Sequence, residues 1–389
     1  MSTNKKNTKI TQEYIHSLST DINTDWHNNP KIDERIRKYF SRFSLNVNTE
    51  RGFMKQLLND PDELAGGDKL ISRDNFIISE KSIISSPDNN QIQLSIIKPK
   101  NELLIIKDDN TNINTITSSL SLPLSSYFIN NDILLPCVIY IHGGGMKYYS
   151  CFYENYQTFG RLISSNGVIV ILPDFRNYIS PSTPNAEISK FPGGLNDCIS
   201  TIEYVYENYK ELNVDKNNII ICGESGGGNL SIASCLSLKR NGKINIIKGM
   251  YIMCPYLAGK FPNPKYPSTY DNAGILMVYP TKNDKIIIVN DYSKDNDEDL
   301  HETKNPLAFP SYATSDDIIG LPKSKFVVNE FDPLRDEGID FYNRCKNNGL
   351  DTSLEILKGT IHGTGSYFVN LCPDITIDQA LKISNFAKY

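Results

Sequence analysis

No two of the eight cysteines in this 389-residue chain are spaced as C-x-x-C, which excludes a zinc framework or a thioredoxin-like redox pair. Cys137, Cys222 and Cys254 lie inside strand-like apolar runs, so the thiols read as reduced core residues of a cytoplasmic protein. Long hydrophobic runs are missing too. The longest, such as Gly167-Val168-Ile169-Val170-Ile171-Leu172, fall far short of the roughly 20 residues that a membrane-spanning helix takes. The opening Met1-Ser2-Thr3-Asn4-Lys5-Lys6-Asn7 has no apolar segment behind it, so no signal peptide is expected. Neither sign of charge dominates. Lys and Arg number 40 against 45 Asp and Glu, a net charge of −5, which argues against a nucleic-acid or anionic-membrane partner. Histidine is scarce, with five residues, so any chemistry that needs an imidazole has few places to sit.

The chain is long enough to bury a large core and carry appended elements. Residues 1–75 are polar with short amphipathic stretches and read as a disordered tip followed by N-terminal cap helices. Ile32, Ile36, Tyr39, Phe40 and Phe43 recur at three and four, as on one face of a helix. Residues 76–389 read as the main domain. It opens with strand-like Asn75–Ile84 and Gln91–Lys98 around Ser86-Pro87-Asp88-Asn89-Asn90, an antiparallel hairpin by its turn chemistry. Residues 110–131 are rich in Asn, Thr and Ser and read as a low-complexity surface insertion.

From Pro136 the pattern becomes regular. Apolar runs at Cys137–Ile141, Val168–Leu172, Ile219–Cys222, Ile247–Cys254, Phe326–Asn329 and Leu354–Leu357 alternate with helical stretches at Asn155–Ser165, Leu195–Tyr209, Ser225–Arg240, Asp336–Asn348 and Ile375–Ala387. That alternation predicts an α/β fold with a doubly wound, mostly parallel sheet. It breaks once, over about sixty residues after Cys254, too long for a simple connection. Residues 255–304 are therefore expected to form a second cap segment.

The chemistry-bearing residues fall at the ends of the apolar runs. Gly223-Glu224-Ser225-Gly226-Gly227 follows Ile219–Cys222 and opens a helical pattern. This is a G-x-S-x-G nucleophile elbow, which holds a serine hydroxyl clear of the sheet edge. A serine needs a base, and the base needs an orienting acid. His362, in Gly359-Thr360-Ile361-His362-Gly363, follows the last strand-like run and is the candidate base. His16 and His27 lie in the polar N-terminal region, and His301 lies in the cap segment. The acid is expected between serine and histidine. Asp332, at a strand end, is the candidate; Glu330, Asp336 and Glu337 are its rivals by residue type. Tyr140-Ile141-His142-Gly143-Gly144-Gly145 ends another strand, and its glycines let backbone N–H groups approach an oxyanion. A phosphate cradle would want G-x-x-x-x-G-K-[ST], which is absent.

In this order these pieces resemble the hormone-sensitive-lipase-like family of α/β-hydrolases, the carboxylesterases marked by H-G-G-G. Pro173-Asp174-Phe175-Arg176, Phe191-Pro192-Gly193-Gly194-Leu195-Asn196-Asp197-Cys198, Asn305-Pro306-Leu307-Ala308-Phe309-Pro310 with Gly320-Leu321-Pro322, and Asp332-Pro333-Leu334-Arg335-Asp336-Glu337-Gly338 are similar to further family stretches. The likeness runs from Pro136 to the C-terminus. It implies an α/β-hydrolase fold with a helical cap and a serine carboxylesterase acting on small or short-acyl esters. It makes Ser225 the nucleophile, His362 the base and Asp332 the acid. It puts the oxyanion hole on the N–H groups of Gly144, Gly145 and Gly226, with His142 and Gly143 supporting the loop. No metal or organic cofactor is implied, and nothing in the motifs bears on oligomeric state. The N-terminal helices and 255–304 would cover the pocket. Tyr148, Tyr149, Phe152 and Tyr153 would line it or pack in the core. Asp174, Arg176 and Asp197 are expected to be paired structural charges. Gly226 stands where the family more often has alanine, so a slightly looser elbow is expected. An amidase or deacetylase with the same triad, and a ligand-binding protein on the same fold, are the alternatives.

Overall fold

The computed structural model describes residues 24–41, 64–100, 134–260, 263–272, 275, 294–295 and 298–389. Residues 1–23 and 42–63 of the expected N-terminal cap, Phe43 among them, the insertion expected over 110–131, and residues 276–293 of the expected second cap segment lie outside the described residues. The main sheet has eight strands: β1 (Phe76–Ile84), β2 (Gln91–Pro99), β3 (Leu135–Ile141), β4 (Ile169–Pro173), β5 (Val214–Glu224), β6 (Gly249–Met253), β7 (Lys323–Phe331) and β8 (Thr352–Ile361). Their spatial order is β1-β2-β4-β3-β5-β6-β7-β8. The hairpin pairs Phe76 with Pro99 and Ile84 with Gln91. β2 runs antiparallel to β4, and every later neighbour pairing is parallel. This is the mostly parallel sheet that the alternation of strands and helices predicts.

The main helices are α1 (Glu34–Phe40), α2 (Glu154–Ser164), α3 (Gly193–Glu207), α4 (Gly226–Arg240), α5 (Arg335–Asn347) and α6 (Pro373–Lys388). Period-two alternation along each strand sorts the core into two halves. Ile139, Ile141, Ile219 and Ile221 face one way, onto Leu195, Cys198 and Ile202 of α3, Leu230 and Ala233 of α4 and Phe341 of α5. Val138, Tyr140, Ile220 and Cys222 face the other way, onto Tyr156, Phe159 and Ile163 of α2 and Ala380 and Ile383 of α6. Both faces are covered, so the central strands are apolar throughout and read as runs rather than alternations. β5 begins earlier than its apolar run because Asp215, Lys216 and Asn217 extend it at the surface. β8 is an edge strand, half-buried over most of its length, and for that reason its limits were blurred in the sequence. All eight cysteines are free and buried. Among the described residues no helix is long and apolar enough to cross a membrane.

The N-terminal segment joins the second half-core. Asp33 caps α1 by accepting from the Arg35 N–H, and Ile36, Tyr39 and Phe40 are the buried residues of the helix. Phe40 packs edge-on against Phe368, centroids 5.7 Å apart, and the Asp33 N–H donates to the Gly359 carbonyl at 2.8 Å. This helix therefore leans on the two flanks of the loop that carries His362. The described part of the second cap segment docks nearby. The Ser268 N–H donates to Asp336 Oδ2 at 2.7 Å and the Asn272 amide donates to the Asp332 carbonyl at 3.1 Å.

Burial makes a direct prediction. Ile221 is fully buried while Ile77 is 55% exposed. In urea unfolding Ile221→Ala should cost about 2–5 kcal/mol, and Ile77→Ala should stay within about 0.5 kcal/mol of the parent.

Candidate active site

Five parallel strands end along one edge, and the residue that follows each strand is chemically distinctive. His142 follows β3, Ser225 follows β5, Cys254 follows β6, Asp332 follows β7 and His362 follows β8. Carboxyl ends of parallel strands are where open α/β sheets bind ligands. The β7–β8 register pairs Phe331 with Ile361, so their successors meet. His362 Nδ1 lies 2.8 Å from Asp332 Oδ2, and Asp332 Oδ1 accepts from the Leu334 N–H at 2.8 Å. Both side chains are buried.

The rivals to Asp332 are engaged elsewhere. Glu330 accepts from the Gly359 N–H and sits beside Lys358. Asp336 takes the Ser268 N–H and the Arg335 Nε–H. Glu337 accepts from the N–H groups of Leu257 and Ala258 at 2.8 and 3.0 Å. Burial pushes the Glu337 pKa up to about 8, while those two donors favour its charged form. For His362, burial lowers the pKa, but the Asp332 carboxylate and the adjoining Cys254 outweigh it and hold the imidazole well above its ordinary value.

Ser225 has φ 54 and ψ −119, a strained conformation for a residue with a β-carbon. It is held from three directions. Its N–H donates to the Met253 carbonyl at 3.0 Å, and its carbonyl accepts from Tyr256 at 3.0 Å and Asn229 at 3.1 Å. The glycines are required by close approach. A β-carbon on Gly227 would stand 2.0 Å from the Ile141 carbonyl oxygen, and one on Gly226 would stand 2.8 Å from the Gly145 nitrogen. The second distance corrects the expectation of a looser elbow. The glycine loop after β3 occupies the space a methyl would have filled, so the elbow is closely packed at Gly226.

The loop after β3 is shaped by backbone conformations that favour glycine: Gly144 and Gly145 have φ 92 and 62. A β-carbon on Gly144 would meet the Tyr148 carbonyl oxygen at 2.3 Å, whereas one on Gly145 would face open space. His142 is fully buried, and burial lowers its pKa to about 4. Its ring stacks on Phe175 with centroids 4.3 Å apart. Nδ1 lies 2.9 Å from the Gly143 carbonyl, which can only accept, so Nδ1 carries the proton. This histidine is a neutral brace for the loop. Gly143 has its N–H on Glu224 Oε1 at 2.6 Å, which leaves that donor committed to the protein. Tyr149 is buried in the core, with its ring 5.3 Å from that of Tyr367, and Tyr148, Phe152 and Tyr153 are partly buried beside the same half-core. Arg176 is paired with Asp197 and Asp88. Asp174 instead accepts from the hydroxyls of Ser150 and Ser182 at 2.7 and 2.6 Å.

Glu224 is the main residue that sequence reasoning passed over. Its carboxylate accepts from the Gly143 N–H and, at 2.6 Å, from the Tyr140 hydroxyl, bolting the elbow to the glycine loop after β3. Burial pushes its pKa up to about 7, opposed by the same two donors. The signal was there: an acidic residue at x of G-x-S-x-G, just past the apolar run Ile219–Cys222. Cys254 was passed over as well. Its sulfur, a ring nitrogen of His362 and a carboxylate oxygen of Asp332 lie within 4.8 Å of one another, a group of the described residues that could hold a cation.

Comparison with known proteins agrees with this fold. Residues 138–365 match the family described as having the alpha/beta hydrolase fold. An alpha/beta hydrolase of Acanthamoeba polyphaga mimivirus is 29% identical over 267 residues, 67% of each chain. The arylesterase of Saccharolobus solfataricus is 29% identical over 237 residues, 58% of this chain and 67% of its own. Among solved structures, esterase Est22 is 33% identical with a TM-score of 0.76, covering 96% of this chain and 99% of its own. Brefeldin A esterase, described as a bacterial homologue of human hormone-sensitive lipase, is 27% identical with a TM-score of 0.66, over 82% of this chain and 78% of its own.

The Glu224 contacts carry a prediction. Glu224→Ala leaves two buried donors without an acceptor, at about 1–3 kcal/mol each, so the urea midpoint should fall by the equivalent of at least ~2 kcal/mol. Glu224→Gln keeps one acceptor oxygen and should fall by less.

Proposed function

From the premise that this chain belongs to the alpha/beta hydrolase family, among its hormone-sensitive-lipase-like carboxylesterases, we propose that it hydrolyses small or short-acyl esters through an acyl-enzyme on Ser225. The observation that carries the assignment of roles is the buried 2.8 Å contact of His362 with Asp332, on the sheet edge where the strained Ser225 also stands. Ser225 Oγ attacks the ester carbonyl carbon, and His362 takes the hydroxyl proton through Nε2. Asp332 holds Nδ1–H, fixing the tautomer and stabilising the imidazolium that forms. The carbonyl oxygen becomes an oxyanion and accepts from the N–H groups of Gly144, Gly145 and Gly226. The last of these opens α4, where helix N–H groups lack intrahelical partners and the dipole favours negative charge. Each such donor is worth roughly 3–4 kcal/mol of barrier.

As the tetrahedral intermediate collapses, His362 returns the proton to the leaving alkoxide and the alcohol departs. Water, deprotonated by the same imidazole, then attacks the acyl carbonyl, and Ser225 leaves with its proton restored. Gly143 stays outside the hole because its N–H serves Glu224. Helix α1 and the described residues of the 255–304 segment would cover the pocket and set its size, a reading supported by the docking of α1 and Ser268 beside the His362 and Asp332 loops. The eight free, buried thiols support a reducing, cytoplasmic compartment.

Labelling tests the assignment. A fluorophosphonate should add once, on the peptide carrying Ser225, and Ser225→Ala should lose both adduct and p-nitrophenyl ester turnover. An adduct elsewhere, or undiminished turnover in Ser225→Ala, would sink the proposal. The ester chain length turned over fastest sizes the pocket. Proton linkage gives a further check. His362 must be neutral to act as base, and its pKa is held above the ordinary histidine value, so kcat/KM should rise with pH through a midpoint above about 6.5. Asp332→Asn removes the charge that opposes burial. Its midpoint should move down and its kcat should drop by about 10⁴-fold.

A further inference from the structure

Cys254 takes no part in that reaction, yet it stands where the reacting residues stand, one step past a parallel strand on the same sheet edge. It is 2% exposed and has φ 32, a conformation that residues with a β-carbon adopt only under constraint. The constraints are visible. Its N–H donates to the Val327 carbonyl at 2.7 Å, and the Tyr256 N–H donates to the Ser225 carbonyl at 3.0 Å. Between them Pro255 packs against Gly228 and Gly338. The backbone under the thiol is therefore pinned to β7 on one side and to the elbow on the other. Sγ, a ring nitrogen of His362 and a carboxylate oxygen of Asp332 form a buried triangle with no side longer than 4.8 Å. Among the described residues no other cysteine joins such a group.

We propose that this triangle is an inhibitory site for a thiophilic divalent cation, zinc or cadmium, bound by Cys254 sulfur, a His362 nitrogen and an Asp332 oxygen. Sulfur, imidazole and carboxylate form the mixed donor set that such ions take, for zinc at metal–ligand distances of about 2.0–2.3 Å. Tetrahedral ligands at those lengths stand roughly 3.5 Å apart, so side-chain rotation of about an ångström closes the triangle. On binding, the thiol S–H bond breaks, as does the N–H bond of the ring nitrogen that the ion takes when that nitrogen is protonated; both protons pass to solvent, and metal–sulfur and metal–nitrogen bonds replace them. The imidazole gives its lone pair, and no electron changes owner. Inhibition rests on the esterase reading, because the ion takes the imidazole and carboxylate that reading requires for proton transfer. Magnesium and calcium prefer oxygen-only shells and should leave the site alone.

The test titrates cadmium into the full chain after EDTA treatment, following p-nitrophenyl ester turnover and the ultraviolet cadmium–thiolate band on the same samples, with zinc added to a separate sample to compete for the band. Turnover should fall as the band grows to one ion per chain, EDTA should restore it, and magnesium should have no effect. Cys254→Ser and Cys254→Ala, each compared with its own metal-free rate and checked for native near-ultraviolet circular dichroism, should lose the band. They should need at least about tenfold more metal for the same inhibition. Equal inhibition of parent and variants, or a band that grows without loss of turnover, would overturn the proposal. A metal-free chain that turned over no ester would instead refute the esterase reading. The band and its loss in Cys254→Ser would still decide the site.

Discussion

Phe331 and Ile361 sit opposite each other in neighbouring parallel strands, and the chemistry of the site depends on that register. A parallel ladder makes adjacent strands point the same way, so residues just past paired positions reach the same height above the sheet. Asp332 and His362 are those residues for β7 and β8. Ser225 and Cys254 are the corresponding residues for β5 and β6, where Glu224 pairs with Met253. A slip of one residue in any of these ladders would reverse which face each side chain serves. The two apolar half-cores make such a slip costly, because Ile219 and Ile221 would trade places with Ile220 and Cys222.

Onto that edge the chain fastens a loop that the sheet alone would not hold. Residues 144–149 include Met146 and Tyr149 at positive φ as well as the glycines, and such backbone persists only where surroundings over-determine it. Glu224 supplies part of that restraint from the elbow side. The Asn177 amide supplies more, donating to the Tyr149 carbonyl at 2.7 Å, as does the Tyr178 N–H, donating to the Met146 carbonyl. Gly226 closes the arrangement, since the nitrogen and Cα of Gly145 fill the space beside it. Glu224 and Glu337 each accept two protein donors, and each joins segments about eighty residues apart in sequence.

Much of this was legible in the amino-acid sequence because the decisive signals are local. The elbow, the H-G-G-G loop and the strand ends before Asp332 and His362 are each short patterns of glycine, polar residue and apolar run. What stayed hidden is whatever depends on residues far apart. Glu224 looks like filler until Gly143 and Tyr140, more than eighty positions earlier, are seen to bond it. Cys254 reads as a core thiol until β6 is placed beside β7. The expected looseness at Gly226 failed for the same reason: residue size predicts free volume only if nothing else moves in. The docking of α1 against Phe368 and Gly359 likewise has no local signature.

The central claim is that Ser225, the Asp332–His362 pair and the backbone of Gly144, Gly145 and Gly226 surround one reacting carbon. The crystal structure of the phosphonylated protein measures this directly, because the phosphonyl group mimics the tetrahedral intermediate. The account predicts phosphorus on Ser225 Oγ, its oxygen about 2.7–3.1 Å from those three nitrogens, and His362 still bonded to Asp332. A phosphonyl oxygen turned away from the glycine loop, or bonded by Gly143 after release from Glu224, would contradict it.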